Sequence, residues 1–209
     1  MKKLVLFDLD GTLVDSEDFI VWSFLEAGRR LGVEVDPERV RRMIGYPLDS
    51  VLEEVFEPGS INLEEFKRVR KRIVEENWRS MVRIFPDVLE TLEYLKGKGY
   101  ILGVASSSVT SRINAFLEFF RLKEFFQVVS GVEEGVRGKP EPDVILRAVV
   151  WVGVSPRDAV YVGDRVVDCI ASRGAGVDFI LVERSTYSSI TECEPVLTVK
   201  SLKELTRLL

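Results

Sequence analysis

Leu4-Val5-Leu6-Phe7-Asp8-Leu9-Asp10-Gly11-Thr12-Leu13-Val14-Asp15 is the stretch from which the fold follows. Four consecutive apolar residues that end at an acid, with a glycine just beyond, have the pattern of a strand buried on both faces and running into a turn. Asp8 therefore stands at the carboxyl end of a strand, and Asp10 leaves it two residues later. Gly11 permits the unusual backbone turn that follows.

Similar apolar runs recur at Ile101 to Ala105, Phe125 to Val129, Ala159 to Val162 and Phe179 to Val182. Segments with helical periodicity separate them, and this alternation predicts an α/β fold with a parallel sheet covered on both faces. Pro86-Asp87 and Pro140 to Pro142 open helices, and Gly97, Gly99, Gly153, Gly174 and Gly176 close them. Between about Asp15 and Arg83 the alternation stops. Consecutive helices start at Asp36-Pro37 and Pro47, and a long one runs from about Leu63 to Met81. The organisation expected is a core domain of residues 1–15 and 84–209 with an inserted helical domain, 16–83, packed against it.

Ligands of open parallel sheets bind beyond the carboxyl ends of the strands. Four polar groups fall there: Asp8 with Asp10; Ser106-Ser107-Ser108, with hydroxyls and free backbone N–H groups before a helix near Val109; Lys139, fixed by flanking prolines; and Gly163-Asp164 with Asp168, acids suited to a hard cation. Singly, each reads as a turn, a cap or a loop. Together, at the ends of one sheet, they read as a site.

Asp8-Leu9-Asp10-Gly11-Thr12, Ser106, Lys139 with Pro140-Glu141-Pro142-Asp143, and Gly163-Asp164 with Asp168 resemble the four motifs of the haloacid dehalogenase superfamily. The resemblance extends to its phosphoglycolate phosphatase and β-phosphoglucomutase-like branch, and it implies a Rossmann-like core with a four-helix cap. It implies a phosphatase in which Asp8 is the nucleophile and forms an aspartyl-phosphate, and Asp10 is general acid and base. Ser106 and Ser107 would hold phosphoryl oxygens, Lys139 would add positive charge and Asp168 would orient it. Mg2+ would be bound by Asp8, the Asp10 carbonyl and Asp164. Arg165 stands where relatives often carry a small hydroxyl residue, and its direction is open.

Asp10 argues against dehalogenation, since dehalogenases of this fold lack the second acid. β-Phosphoglucomutases use a histidine in the linker or cap, and this chain has none. Hydrolysis is therefore expected ahead of a mutase-like phosphoryl transferase. A Schiff-base phosphonatase would need Lys67 or Lys71, and a silent binding module would be expected to have lost Asp8, Asp10 or Lys139. The substrate expected is a small phosphorylated metabolite such as phosphoglycolate or a sugar phosphate. Gly45 and Tyr46, in Ile44 to Leu48, occupy the place of a substrate-contacting cap loop, though Tyr46-Pro47 also reads as an ordinary helix connection. A phosphorylated acid would need Arg41, Arg42 or Arg83 for its second anion. The hinge is expected at Leu13 to Ser16 and Met81 to Phe85, the two crossings between the domains.

Apolar residues at 46% and charged residues at 30% fit a core-forming globular chain, and a net charge of −5 argues against nucleic acid as partner. The basic run Lys67, Arg68, Arg70, Lys71 and Arg72 reads as a solvated helix face. No apolar stretch approaches a membrane span, so no membrane partner and a cytoplasmic location are expected, with a monomer, or else a dimer, as the assembly. Cys169 and Cys193 lack metal spacing; a bridge between them is open, and two buried free thiols are the expectation in a reducing compartment. Three asparagines and one glutamine in 209 residues, beside abundant Glu, Lys and Arg, point to a hot environment.

Overall fold

Leu4, Val5, Leu6 and Phe7 are all fully buried, as a strand flanked by helices on both faces requires. They form β1 (Leu4–Phe7) in a computed structural model that describes residues 2–184, 186–188 and 193–209. Around β1 lie β4 (Ile101–Val109), β5 (Val128–Val132), β6 (Ala159–Gly163), β7 (Asp178–Val182) and β8 (Leu197–Val199), in the order β5-β4-β1-β6-β7-β8. Every pairing is parallel. The chain leaves β1 toward β4 on one side and β6 on the other, so the β1 end is the crevice where such sheets bind ligands.

Alternate strand residues feed two cores. Val5, Phe7, Val104 and Val162 face one cluster, covered by α5 (Val88–Gly97), α6 (Thr110–Phe119) and α9 (Leu205–Leu208). Leu4, Leu6, Ala105 and Tyr161 face the other, covered by α7 (Asp143–Val152) and α8 (Val166–Ala175).

Residues 16–83 contain α1 (Glu17–Leu31), α2 (Pro37–Arg42), α3 (Leu48–Val55) and α4 (Leu63–Met81), around a cluster of their own that includes Phe24, Leu52, Phe66 and Ile73. Asp36 caps α2 by accepting from the N–H groups of Glu38 and Arg39, and Asn62 caps α4 by accepting from Glu65. The two crossings to the sheet domain pair as short antiparallel strands, β2 (Val14–Asp15) with β3 (Arg83–Ile84). Trp78, near the end of α4, stacks on Phe116 of α6 with ring centroids 4.3 Å apart. No helix among the described residues is long and apolar enough to cross a membrane.

Three details depart from the sequence reading. The strand expected at Phe125 to Val129 begins at Val128, because Lys123–Phe125 forms a 3-10 turn and the Gln127 side chain, not a strand backbone, accepts from Leu102 N–H. The strand expected to end at Ala105 runs on, with a register shift, to Val109, so Ser106 to Ser108 are strand residues just before α6. Cys169 and Cys193, expected as free thiols, are joined in a disulfide with Cα atoms 6.0 Å apart. The fold brings α8 and the segment before β8 together, which a spacing of 24 residues does not announce.

Candidate active site

Asp8 lies at the tip of β1, 1% exposed, and its ion-pair partner is the fully buried Lys139, Nζ to Oδ1 2.7 Å. Lys139 also donates to Asp168 Oδ1 at 2.5 Å and to Tyr161 Oη at 3.1 Å, while the tyrosine hydroxyl donates to the Ala105 carbonyl at 2.7 Å. The Lys139 backbone N–H donates to Ser107 Oγ at 3.0 Å, so the end of β4 fixes the loop that carries the lysine. Asp168, at the start of α8, accepts at Oδ2 from the backbone N–H groups of Asp164 and Arg165. Both of its oxygens are thus committed.

Asp164 accepts from Thr12 Oγ1 at 3.1 Å and from Arg165 Nε at 3.0 Å. Gly11 makes this approach possible: its φ is +83°, and a Cβ there would stand 2.5 Å from the Asp164 carboxylate. Arg165 turns inward, 3% exposed, and bridges to the helical block through Glu17 Oε2 at 2.6 Å and the Arg41 carbonyl at 3.4 Å. Gly45 packs over this bridge, where at φ +101° a Cβ would meet Val167 at 2.8 Å. Tyr46 packs against the helical cluster.

Asp10 is held by Ser16 Oγ at 2.7 Å, Ser108 Oγ at 3.2 Å and Arg112 Nη2 at 3.0 Å. Ser106 is buried and its Oγ accepts from the Ser108 N–H. The residues singled out in the four motifs therefore converge on the β1 end. Sequence reading overlooked Arg112, Ser16, Tyr161 and Glu17. Only Tyr161 left a signal, as the one polar-tipped residue in an otherwise aliphatic buried run.

Crowded acids set the electrostatics. Burial pushes Asp8 up to about 8; Lys139 opposes this, and Asp168 and Asp164 reinforce it. Burial likewise lifts Asp164 to about 7 against the pull of Arg165. Burial alone would lower Lys139, yet Asp168 and Asp8 carry it above the ordinary lysine value. Carboxyls whose folded pKa is raised contribute stability that is complete below their unfolded value, near 3.8, and lost as pH rises through the folded values. In chelator, wild type should therefore lose stability relative to Asp8→Asn between pH 4 and 8, at up to about 1.4 kcal/mol for each pH unit crossed. Thermal midpoints of the two proteins across that range check this; a gap that stays constant would contradict it.

One carboxylate oxygen from each of Asp8, Asp164 and Asp168 lies within 4.8 Å of the others, an arrangement able to hold a metal ion. Asp168 carries the Lys139 ammonium and two backbone N–H groups, whereas Asp164 accepts one hydrogen bond at each oxygen and keeps acceptor capacity with which to share a cation with Asp8. Asp8 Oδ1 is buried and, among the described residues, receives no hydrogen bond of regular geometry despite the nearby ammonium. Hard oxygen donors with excess negative charge suit a divalent cation such as Mg2+.

A family model for haloacid dehalogenase-like hydrolases matches residues 5–182. The chain is 32% identical over 214 residues to "Probable phosphatase IndB" of Dickeya dadantii, covering 98% of this chain and 92% of that protein. It is 31% identical over 175 residues to the phosphoglycolate phosphatase of Aquifex aeolicus, covering 83% and 81%. The crystal structure of a "predicted phosphoglycolate phosphatase" from Haemophilus somnus superposes with a TM-score of 0.88 at 25% identity, covering 99% of this chain and 97% of that one.

Proposed function

We propose that this chain, which belongs to the haloacid dehalogenase-like hydrolase family and is a phosphatase, hydrolyses small phosphate monoesters through an aspartyl-phosphate on Asp8. The observation that carries the reading is the buried cluster at the β1 tip, in which Asp8 faces Lys139 and stands within ligand-sharing distance of Asp164.

In this reading the Asp8 carboxylate attacks phosphorus, the ester P–O bond breaks, and Asp10 gives its proton to the leaving alcohol. Asp10 then takes a proton from the water that attacks the aspartyl-phosphate, which regenerates Asp8 and releases phosphate. Lys139 neutralises phosphoryl charge from a fixed position, because Asp168 and Tyr161 hold its ammonium. Ser106 and the backbone beside it would bind phosphoryl oxygens. Mg2+, held by Asp8, Asp164 and the Asp10 carbonyl, would supply charge that offsets the repulsion between carboxylate and phosphate. Residues 16–83 would serve as a cap that closes over the site on the paired β2 and β3 crossings.

A screen of phosphate esters tests the reading: release of phosphate with Mg2+ present is expected to fall about a hundredfold or more in chelator and to return when the metal is restored. Hydrolysis indifferent to chelator would overturn the metal assignment.

A further inference from the structure

The basic run on α4 does not all face solvent. Lys67 pairs with Asp49 and Glu64, Arg68 with Glu65 and Lys71 with Glu75, as an exposed face should. Arg70 instead lies between the buried Phe66 and Ile73 at helical spacing, and its guanidinium sits 4.2 Å over the Phe24 ring. Its Nε donates to Ser23 Oγ at 3.0 Å, and among the described residues no acidic side chain pairs with it.

Arg112 approaches from the sheet domain. It lies in the first turn of α6, beside Ser108, donates to Ser108 and Asp10, and keeps a buried Nε that has no hydrogen-bond partner among the described residues. The Trp78–Phe116 stack holds α4 against α6, with Arg112 one turn from that contact and Arg70 about two turns from it. Their charges feel one another: burial first, then Arg112, holds Arg70 down to about 9, while Asp10 pulls the other way. Arg70 of α4 and Arg112 of α6 thus both lie within electrostatic reach of Asp10, and only Arg112 bonds to it. The cations first expected for a second anion are engaged elsewhere: Arg41 with Glu17 and Asp18, Arg42 with the Glu38 carbonyl, and Arg83 with the Val82 carbonyl.

We infer that Arg70 and Arg112 form a second anion subsite, which selects phosphate esters that carry another anionic group a few atoms from phosphorus. Like charges held near one another and partly shielded from water raise each other's energy until an anion joins them, and a guanidinium fork matches carboxylate and phosphate alike. Arg112 would reach this group while still holding Asp10, and Arg70 would grip it from the helical block. The substrate would then bind both domains at once. The inference rests on the phosphatase reading for its catalytic meaning, but the subsite is a binding property and can be measured without turnover.

Calorimetry in Mg2+ buffer can compare three phosphonates that ester hydrolysis leaves intact: propylphosphonate, 3-phosphonopropionate, and propane-1,3-diphosphonate. One or both doubly anionic ligands should bind the wild type about tenfold or more tighter than propylphosphonate, and which of them does so separates a carboxylate subsite from a phosphate one. In Arg70→Gln and Arg112→Gln that preference should shrink toward unity, whereas a merely structural role would weaken all three ligands together. Arg70→Lys should keep part of the preference. Equal binding of the three ligands by wild type, or a preference unchanged in both glutamine variants, would overturn the inference. A preserved preference in a protein that hydrolyses no phosphate ester would support the subsite and remove the catalytic reading alone.

Discussion

Asp8→Asn is expected to lower phosphate release by about 10⁴-fold or more, the scale on which removing a covalent nucleophile acts, while the protein remains folded. The amide has nearly the shape of the carboxyl it replaces, so no cavity opens at the tip of β1. It also removes one of three buried acids that crowd one another around Lys139. Loss of turnover with an unchanged or higher thermal midpoint at pH 8 would separate chemistry from folding. Retention of about a tenth or more of wild-type turnover would remove Asp8 from the nucleophile's role.

Lys139→Ala is expected to act on stability as strongly as on activity. Its ammonium is fully buried between Asp8 and Asp168 and balances both. Deleting one partner of a buried ion pair leaves uncompensated charge and costs about 3–5 kcal/mol, which for a chain of this length lowers the thermal midpoint by roughly 10 °C. Part of that loss should return in the Lys139→Ala, Asp168→Asn double variant, because the second change removes one of the stranded acids. Strictly additive midpoints would mean that the lysine is not the shared counter-ion.

Part of the site's core is legible in the sequence because Asp8, Ser106 and Asp164 each follow an apolar run that marks a strand. Leu4 to Phe7 place Asp8, the run ending at Ala105 places Ser106, and Tyr161 to Gly163 place Asp164. The helical insert was legible for the same reason, from proline starts, the Asp36 and Asn62 caps, and an absence of strand periodicity. What stayed hidden depends on contacts between segments. Arg165 could have faced water or the site; only the fold shows it bridging Asp164 and Glu17. The Cys169–Cys193 bridge needs α8 to pack beside a distant segment.

Arg70 is the instructive miss. Composition placed it in a charged stretch, yet its position four residues after Phe66 and three before Ile73 put it on the buried face of α4. Periodicity held the signal that charge obscured. Arg112 carried no comparable mark, since its hold on Asp10 joins α6 to the turn after β1 across 102 residues.

The most direct measurement of the central claim is to trap the covalent intermediate. Enzyme quenched in acid during turnover of a good phosphate ester, then reduced with borohydride and mapped by peptide mass spectrometry, should carry homoserine at position 8 and nowhere else. A reduced residue at another aspartate, or none in a sample quenched while the intermediate accumulates, would contradict the account.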